Sequence, residues 1–190
     1  MTDITLELPD IKYKASFIKA VKEMKANPNN IQPSEKDMAT TDIERCETDF
    51  ENYIVKPAHD WHQGKNLPGG WVPWSNYWMI ADGEFVGRVS FRHVLANERL
   101  QKYGGHIGYM VLPSKRKKGY AKQALLLALR KAKEKGLDEV LVCCRTINEA
   151  SKRTIENAMR INGGRLDGVI PNEDGTGETL RYWVKTEKEK

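Results

Sequence analysis

The densest charge in the chain is Lys115-Arg116-Lys117-Lys118, followed at once by Gly119 and then by Lys122. A strand-like run, His106–Leu112, comes before it and stops at Pro113, which has no N–H to continue a ladder. A helical pattern begins at about Gly119. The first turn of a helix has backbone N–H groups without internal partners and a partial positive charge, and these accept a phosphate. A glycine there removes the Cβ that would hold a ligand off the backbone. The chemistry offered by this order of residues is capture of a phosphorylated ligand over Arg116–Ala121. It is not the P-loop, because Gly-x-x-x-x-Gly-Lys-Ser/Thr is absent. Nor is it the dinucleotide fingerprint, since Gly105 and Gly108 fall before and within a strand. An ordinary strand–loop–helix junction with solvated lysines has the same spacing.

The run Arg116-x-x-Gly119-x-Ala121 is similar to the acetyl-CoA signature of the GNAT superfamily of N-acetyltransferases, Arg/Gln-x-x-Gly-x-Gly/Ala. The resemblance widens around it. Ile107-Gly108-Tyr109 precede it, Pro113 lies between, and Leu125 and Ala128 follow in the helix. Asn148-x-x-Ser151 comes after the next strand, then Ile155-Glu156 and Gly163-Gly164. Looser similarity covers Trp71–His93 and Arg181-Tyr182-Trp183, and the whole looks like a bacterial branch of predicted acetyltransferases. The resemblance implies an α+β (mixed α/β) fold, with a central mixed, mostly antiparallel sheet of splayed strands flanked by helices. It implies transfer of an acetyl group from acetyl-CoA, as co-substrate, to a primary amine, with no metal. Backbone N–H groups of Arg116, Lys117, Lys118, Gly119, Tyr120 and Ala121 would hold the pyrophosphate. Strand backbone around Met110 and Val111 would hold the pantetheine arm, with an N–H near Val111 on the thioester oxygen. Asn148 maps onto the family's asparagine on that arm, and can cap a helix as well.

An amine acceptor with a pKa near ~10.4 must lose a proton before it attacks, which calls for a general base, direct or through water. His106 is the first candidate, near where related enzymes often carry a glutamate; Glu84 and His93 follow. A histidine satisfied by backbone at a strand start is the plain alternative for His106. For the acid, many family members place a tyrosine seven residues after the asparagine, and Ile155 stands there. Tyr109 and Tyr120 are substitutes by proximity, and water is another. Ala158–Ile161 reads as an extra helical turn compared with relatives. Trp71, Trp74, Tyr77 and Trp78 could line an acceptor pocket or anchor core and loop. His59-x-x-His62 has metal-like spacing without a third ligand. The acceptor, a small-molecule or peptide amine, is not named by these residues. A catalytically weak acyl-CoA-binding sensor is the alternative that the missing tyrosine favours. A nucleic-acid partner would need a basic stripe with exposed aromatics, whereas the basic residues cluster at one turn.

Several elements must position these groups. Thr5–Leu8 alternates as a strand, and Phe17, Ile18, Val21 and Met24 give Tyr13–Lys25 a helical spacing. Asn27–Ser34 reads as a loop, Thr41–Val55 as a second helix, and the Gly-, Pro- and Trp-rich His59–Trp74 as irregular. Asp82-Gly83 joins strands Tyr77–Ala81 and Phe85–His93 in a hairpin. After the turn come a helix to Lys135, a strand Glu139–Cys144 and a helix Asn148–Ile161. Arg165–Ile170 and Thr179–Val184 pair as a last hairpin across Asn172–Gly177, and Glu187–Lys190 is a charged tail. One domain spans 1–190: an acceptor-side half (1–100), an acetyl-CoA-binding half (101–165) and a C-terminal hairpin (166–184).

Bulk properties agree. At 190 residues with 39% hydrophobic and 30% charged residues, the chain can bury a core and carry a soluble surface. No apolar run approaches the ~20 residues of a membrane span, and no signal peptide is visible. Of the three cysteines, Cys46, Cys143 and Cys144, the adjacent pair Cys143 and Cys144 suggests neither a disulfide nor a metal pair, so a reducing cytoplasm is expected. The net charge of +5 suits a polyanionic small ligand as well as nucleic acid. Similar proteins commonly dimerise through their last strands, and a homodimer is open here.

Overall fold

The computed structural model describes residues 2–27, 35–172 and 174–187. Helix α1 (Lys14–Ala26) follows a short 3-10 turn, Ile11–Tyr13, whose N-cap Asp10 accepts from Lys12 N. Its apolar spacing buries Phe17, Ile18, Val21 and Met24. Beneath it Phe17 stacks on Trp78, centroids 4.6 Å apart at 8°. Three short helices follow: α2 (Lys36–Ala39), α3 (Ile43–Thr48) and α4 (Lys56–His62).

Strands β1 (Thr5–Glu7), β2 (Trp74–Ala81), β3 (Glu84–Arg92) and β4 (Ile107–Val111) form one sheet in that order, every neighbour antiparallel. Helix α5 (Tyr120–Glu134) then lays Ala124, Leu125, Ala128, Leu129 and Ala132 into the core. Strand β5 (Glu139–Arg145), helix α6 (Glu149–Asn162), β6 (Gly164–Pro171) and β7 (Glu178–Lys185) complete the chain. Their strands make a second antiparallel sheet, ordered β5-β7-β6.

Among the described residues the two sheets join at one rung. His106 N donates to Leu141 O at 2.7 Å, and Leu141 N donates to His106 Nδ1 at 3.0 Å. Gly105 makes the approach possible: its φ is +62°, and a Cβ there would sit 2.5 Å from Leu141 O. Past this rung β4 and β5 share no ladder among the described residues, and the seam opens.

Three expectations are corrected. The helix expected over Thr41–Val55 breaks after Thr48, passes through a π turn at Glu51–Val55, and resumes as α4. The stretch expected to be irregular from His59 therefore begins in helix. Pro57 sits in the first turn of α4, directly after the π turn. Strand β2 starts at Trp74 rather than Tyr77, and a π turn at Leu100–Gly104 leads into Gly105. The final hairpin, α5 and α6 form where periodicity places them. Most of the expected loop after Asn27, and the last residues of the tail, lie outside the described residues.

Candidate active site

The turn between β4 and α5 is built by local rules. Pro113–Lys115 forms a 3-10 turn, and Lys117 and Gly119 adopt left-handed φ of +63° and +78°. Gly119 is the N-cap of α5 and offers no side-chain cap. The first bond into the helix is Gln123 N to Gly119 O, at 3.2 Å. The N–H groups of Lys117 to Lys122 donate to no described acceptor. Consecutive open amides at a helix start form an anion cradle.

The charged side chains divide into two sets. Lys115 Nζ donates to Glu84 at 2.9 Å. Ser114 donates through N and Oγ to Glu23 at 2.8 and 2.7 Å. Arg116 donates from Nη2 to Glu35 at 3.0 and 3.3 Å, and from Nε to Val111 O at 3.2 Å. These contacts brace the turn. Lys117, Lys118 and Lys122 make no ion pair among the described residues, so they carry the open positive charge. Of the residues expected to bind the ligand, Arg116 has its guanidinium engaged, whereas the amides from Lys117 onward are open.

Where β4 and β5 part, a cleft of about 1010 Å³ opens. Gly108 and Tyr109 line one wall, Cys143 and Cys144 the other, with the start of α6 at the end. Asn148 caps α6 by accepting from Ser151 N at 3.1 Å, and both border the cleft. Tyr109 Oη lies 2.9 Å from Ser151 Oγ. Burial pushes the Tyr109 phenol far above its ordinary value, against a smaller opposing effect of the Ser151 bond, so it keeps its proton at neutral pH.

Residues 12–158 match the family model described as the Acetyltransferase (GNAT) domain. The chain belongs to that family. It is a GNAT acyltransferase, and its fold is shared by solved GNAT structures. RimL, a ribosomal L7/L12 alpha-N-protein acetyltransferase in complex with coenzyme A, matches at 20% identity and TM-score 0.66 over 100% of this chain and 97% of its own. The microcin C7 self-immunity acetyltransferase MccE, with acetyl-CoA and AMP, matches at 18% and 0.66 over 96% and 92%. YncA of Salmonella typhimurium, a putative acetyltransferase with acetyl-CoA, matches at 14% and 0.59 over 98% and 95%. No curated protein sequence matches the chain.

Within this GNAT fold the expected base candidates are scattered. His106 spends its Nδ1 lone pair on Leu141 N–H, which puts the proton of the neutral ring on Nε2. Burial, with a further contribution from Arg92, lowers its pKa to about 4. In that tautomer neither ring nitrogen has a lone pair for an acceptor's proton. Glu84 holds Lys115, whose bond pulls the Glu84 pKa down, and lies outside the cleft lining. His93 Nε2 contacts the buried Ser75 Oγ at 2.8 Å, which also contacts His62 Nδ1 at 2.7 Å; burial lowers His93 to about 4. His59 contacts Pro9 O instead, so the His59-x-x-His62 pair diverges. No group of three or more His, Cys, Asp or Glu side chains fit to hold a metal occurs among the described residues.

Tyr120 is buried in the core, and so is Met110, which leaves only its backbone for a ligand. Ile155 is fully buried, so the helix position usual for the acid holds no proton donor. Tyr77 and Trp78 are core residues, and Trp71 and Trp74 pair with each other 4.3 Å apart; none of them lines the cleft. Two groups were missed by sequence reasoning. Ser151 stood in the sequence only within the Asn148-x-x-Ser151 resemblance, with no sign of its contact to Tyr109. Arg92 looked like one more polar position on an alternating strand.

Proposed function

We propose that this GNAT protein transfers an acetyl group from acetyl-CoA to a primary amine in the β4–β5 cleft. The observation that carries the reading is the row of open N–H groups from Lys117 to Lys122, next to the parted strands. The residues fit the coenzyme: the amides suit a diphosphate, Gly119 admits it to the backbone, and Lys117, Lys118 and Lys122 add charge. Acetyl-CoA supplies an activated thioester when bound. Asn148 borders the cleft where the pantetheine arm would run. Tyr109 keeps its proton at Oη, beside Ser151 Oγ, and would supply it to a departing sulfur.

The reading uses no protein base. Asp174, a carboxylate of the cleft wall, is held at about 2, chiefly by its bonds from Thr176 and then by Arg145. The amine loses its proton to water filling the cleft. The three cysteines are free thiols, which supports a cytoplasmic setting, and no described helix is long and apolar enough to cross a membrane. Leu166 and Val169 are exposed on the edge strand β6, which supports a homodimer.

Acetyl-CoA at a hundredfold excess over Kd should stabilise the fold by about 2.7 kcal/mol. That is a rise in Tm of roughly 5–10 °C for a chain of this size. An unchanged Tm would refute the assignment. Thiol release with a panel of amines then tests turnover. The buried Ile155 favours one alternative, an acyl-CoA sensor, which would show the Tm rise with no thiol release.

A further inference from the structure

Arg92 ends β3 beside the rung that joins the sheets, its N donating to His106 O at 2.8 Å. Its side chain lines the cleft. A guanidinium carries five N–H donors. Nη1 reaches the carbonyls of Gly104 and Gly105, both at 3.3 Å. Those distances are long beside the ~2.7–2.9 Å of a charge-assisted bond. Nε and Nη2, which form one edge of the fork, reach no acceptor among the described residues, and no carboxylate pairs with Arg92. Neither nitrogen is fully buried without a partner, and the Arg92 side chain lines the cleft.

The surroundings do not neutralise this charge. Burial pulls the pKa of Arg92 below the usual arginine value, Cys143 opposes that effect, and Arg99 and Arg88 add to it. Arg145 is tied to Asp174, and Arg181 to Asp167 at 2.9 Å. Glu149, another carboxylate of the lining, makes no ion pair with Arg92. A half-buried cation without a counterion is unfavourable, and an anion at the free edge removes that cost. Parallel N–H groups on one edge match the two oxygens of a carboxylate or phosphate.

This anion is not the diphosphate of the coenzyme. Strand β4 runs from Ile107, opposite Phe91, to Val111, opposite Gly87. Arg92 stands at the start of β4 and the phosphate cradle follows its end, a separation of at least ~13 Å at ~3.3 Å per residue. We propose that Arg92 selects the acceptor: a primary amine that carries a carboxylate or phosphate a few bonds from the reacting nitrogen. The inference rests on the acetyl-transfer reading above.

The test compares matched acceptors at saturating acetyl-CoA and fixed ionic strength: amino acids with their amides, and phosphoethanolamine with ethanolamine. The wild type should favour the anionic member by about tenfold to a hundredfold in kcat/KM, mostly through KM. The pair that shows the larger ratio tells carboxylate from phosphate. Arg92→Gln should bring the ratio near unity, and Arg92→Lys should restore part of it. Equal rates on both members in the wild type, or an unchanged ratio in Arg92→Gln, would overturn the proposal. A second measurement needs no turnover. Malonate or inorganic phosphate should raise the Tm of the wild type more than that of Arg92→Gln, with or without acetyl-CoA; equal rises overturn the proposal. A Tm that responds to malonate but not to acetyl-CoA would remove the transfer reading and leave the anion site standing.

Discussion

A His106→Ala variant removes the acceptor that Leu141 N–H uses at the rung joining the sheets. His106 is 7% exposed, so water does not replace that bond. An unsatisfied buried N–H costs about 1–3 kcal/mol, and the lost ring leaves a void on top. A loss of roughly 2–4 kcal/mol lowers Tm by about 5–15 °C in a chain of this size. His106→Asn restores an acceptor near the Nδ1 position and should recover at least half of that loss. The pH dependence supplies a second reading. The folded pKa is lowered from 6.5 to about 4, so the unfolded chain binds the proton first. The stability held by the neutral ring is complete above pH 6.5 and falls away as pH drops toward 4, by about 3 kcal/mol in all. Asparagine does not titrate, so the acid limb of Tm against pH should flatten, while His93 keeps part of it. The assays are thermal melts from pH 4 to 8 and kcat/KM profiles on the same variants. If His106→Asn kept its Tm while kcat fell a hundredfold and the acid limb of kcat/KM vanished, His106 would be the base and the structural account would be wrong.

Other variants probe the cradle, the packing and the proton donor. Gly119→Glu puts a carboxylate and a Cβ where φ is +78°, so it should cost about 1–2 kcal/mol of stability and abolish the Tm rise with acetyl-CoA; a retained rise would move the diphosphate elsewhere. Gly87→Ala sets a Cβ 2.3 Å from Met110 O and 3.1 Å from Val111 Cα, both backbone atoms that cannot yield cheaply. Its melting temperature should fall by several degrees, in line with the ~1–3 kcal/mol of an overpacked core. Tyr109→Phe should leave acetyl-CoA binding intact and lower kcat by about a hundredfold, the size of a lost general acid; an unchanged kcat would assign proton delivery to water or Ser151.

What could be read from the chain was what neighbours in sequence decide. The turn at Pro113–Gly119, the Asp82-Gly83 hairpin and the buried face of α5 all follow from residues a few positions apart. Apolar periodicity marks neither the break at Asp49 nor the π turn at Glu51–Val55, so the helix boundaries there were misread. The open amides of the β4–α5 turn follow from neighbours in sequence, whereas the acceptor side of the cleft does not, for the same reason. The contacts that disqualify Arg116 as a free charge and His106 as a free base join residues 81 and 35 positions apart, respectively. No periodicity reports such pairings. The vacant edge of Arg92 is harder still, because it is defined by partners that are not there.

The carboxylates that steady the cradle come from outside its signature: Glu23 from α1, Glu35 from just before α2, and Glu84 from the start of β3. A fragment beginning at Gly104 would therefore contain the whole recognisable motif without the braces that shape it. Grafting the motif onto another scaffold would mean transplanting its acidic supports too. Inheritance of the signature alone does not guarantee inheritance of coenzyme affinity, because drift in the early part of the chain can detune the grip while every motif residue stays unchanged.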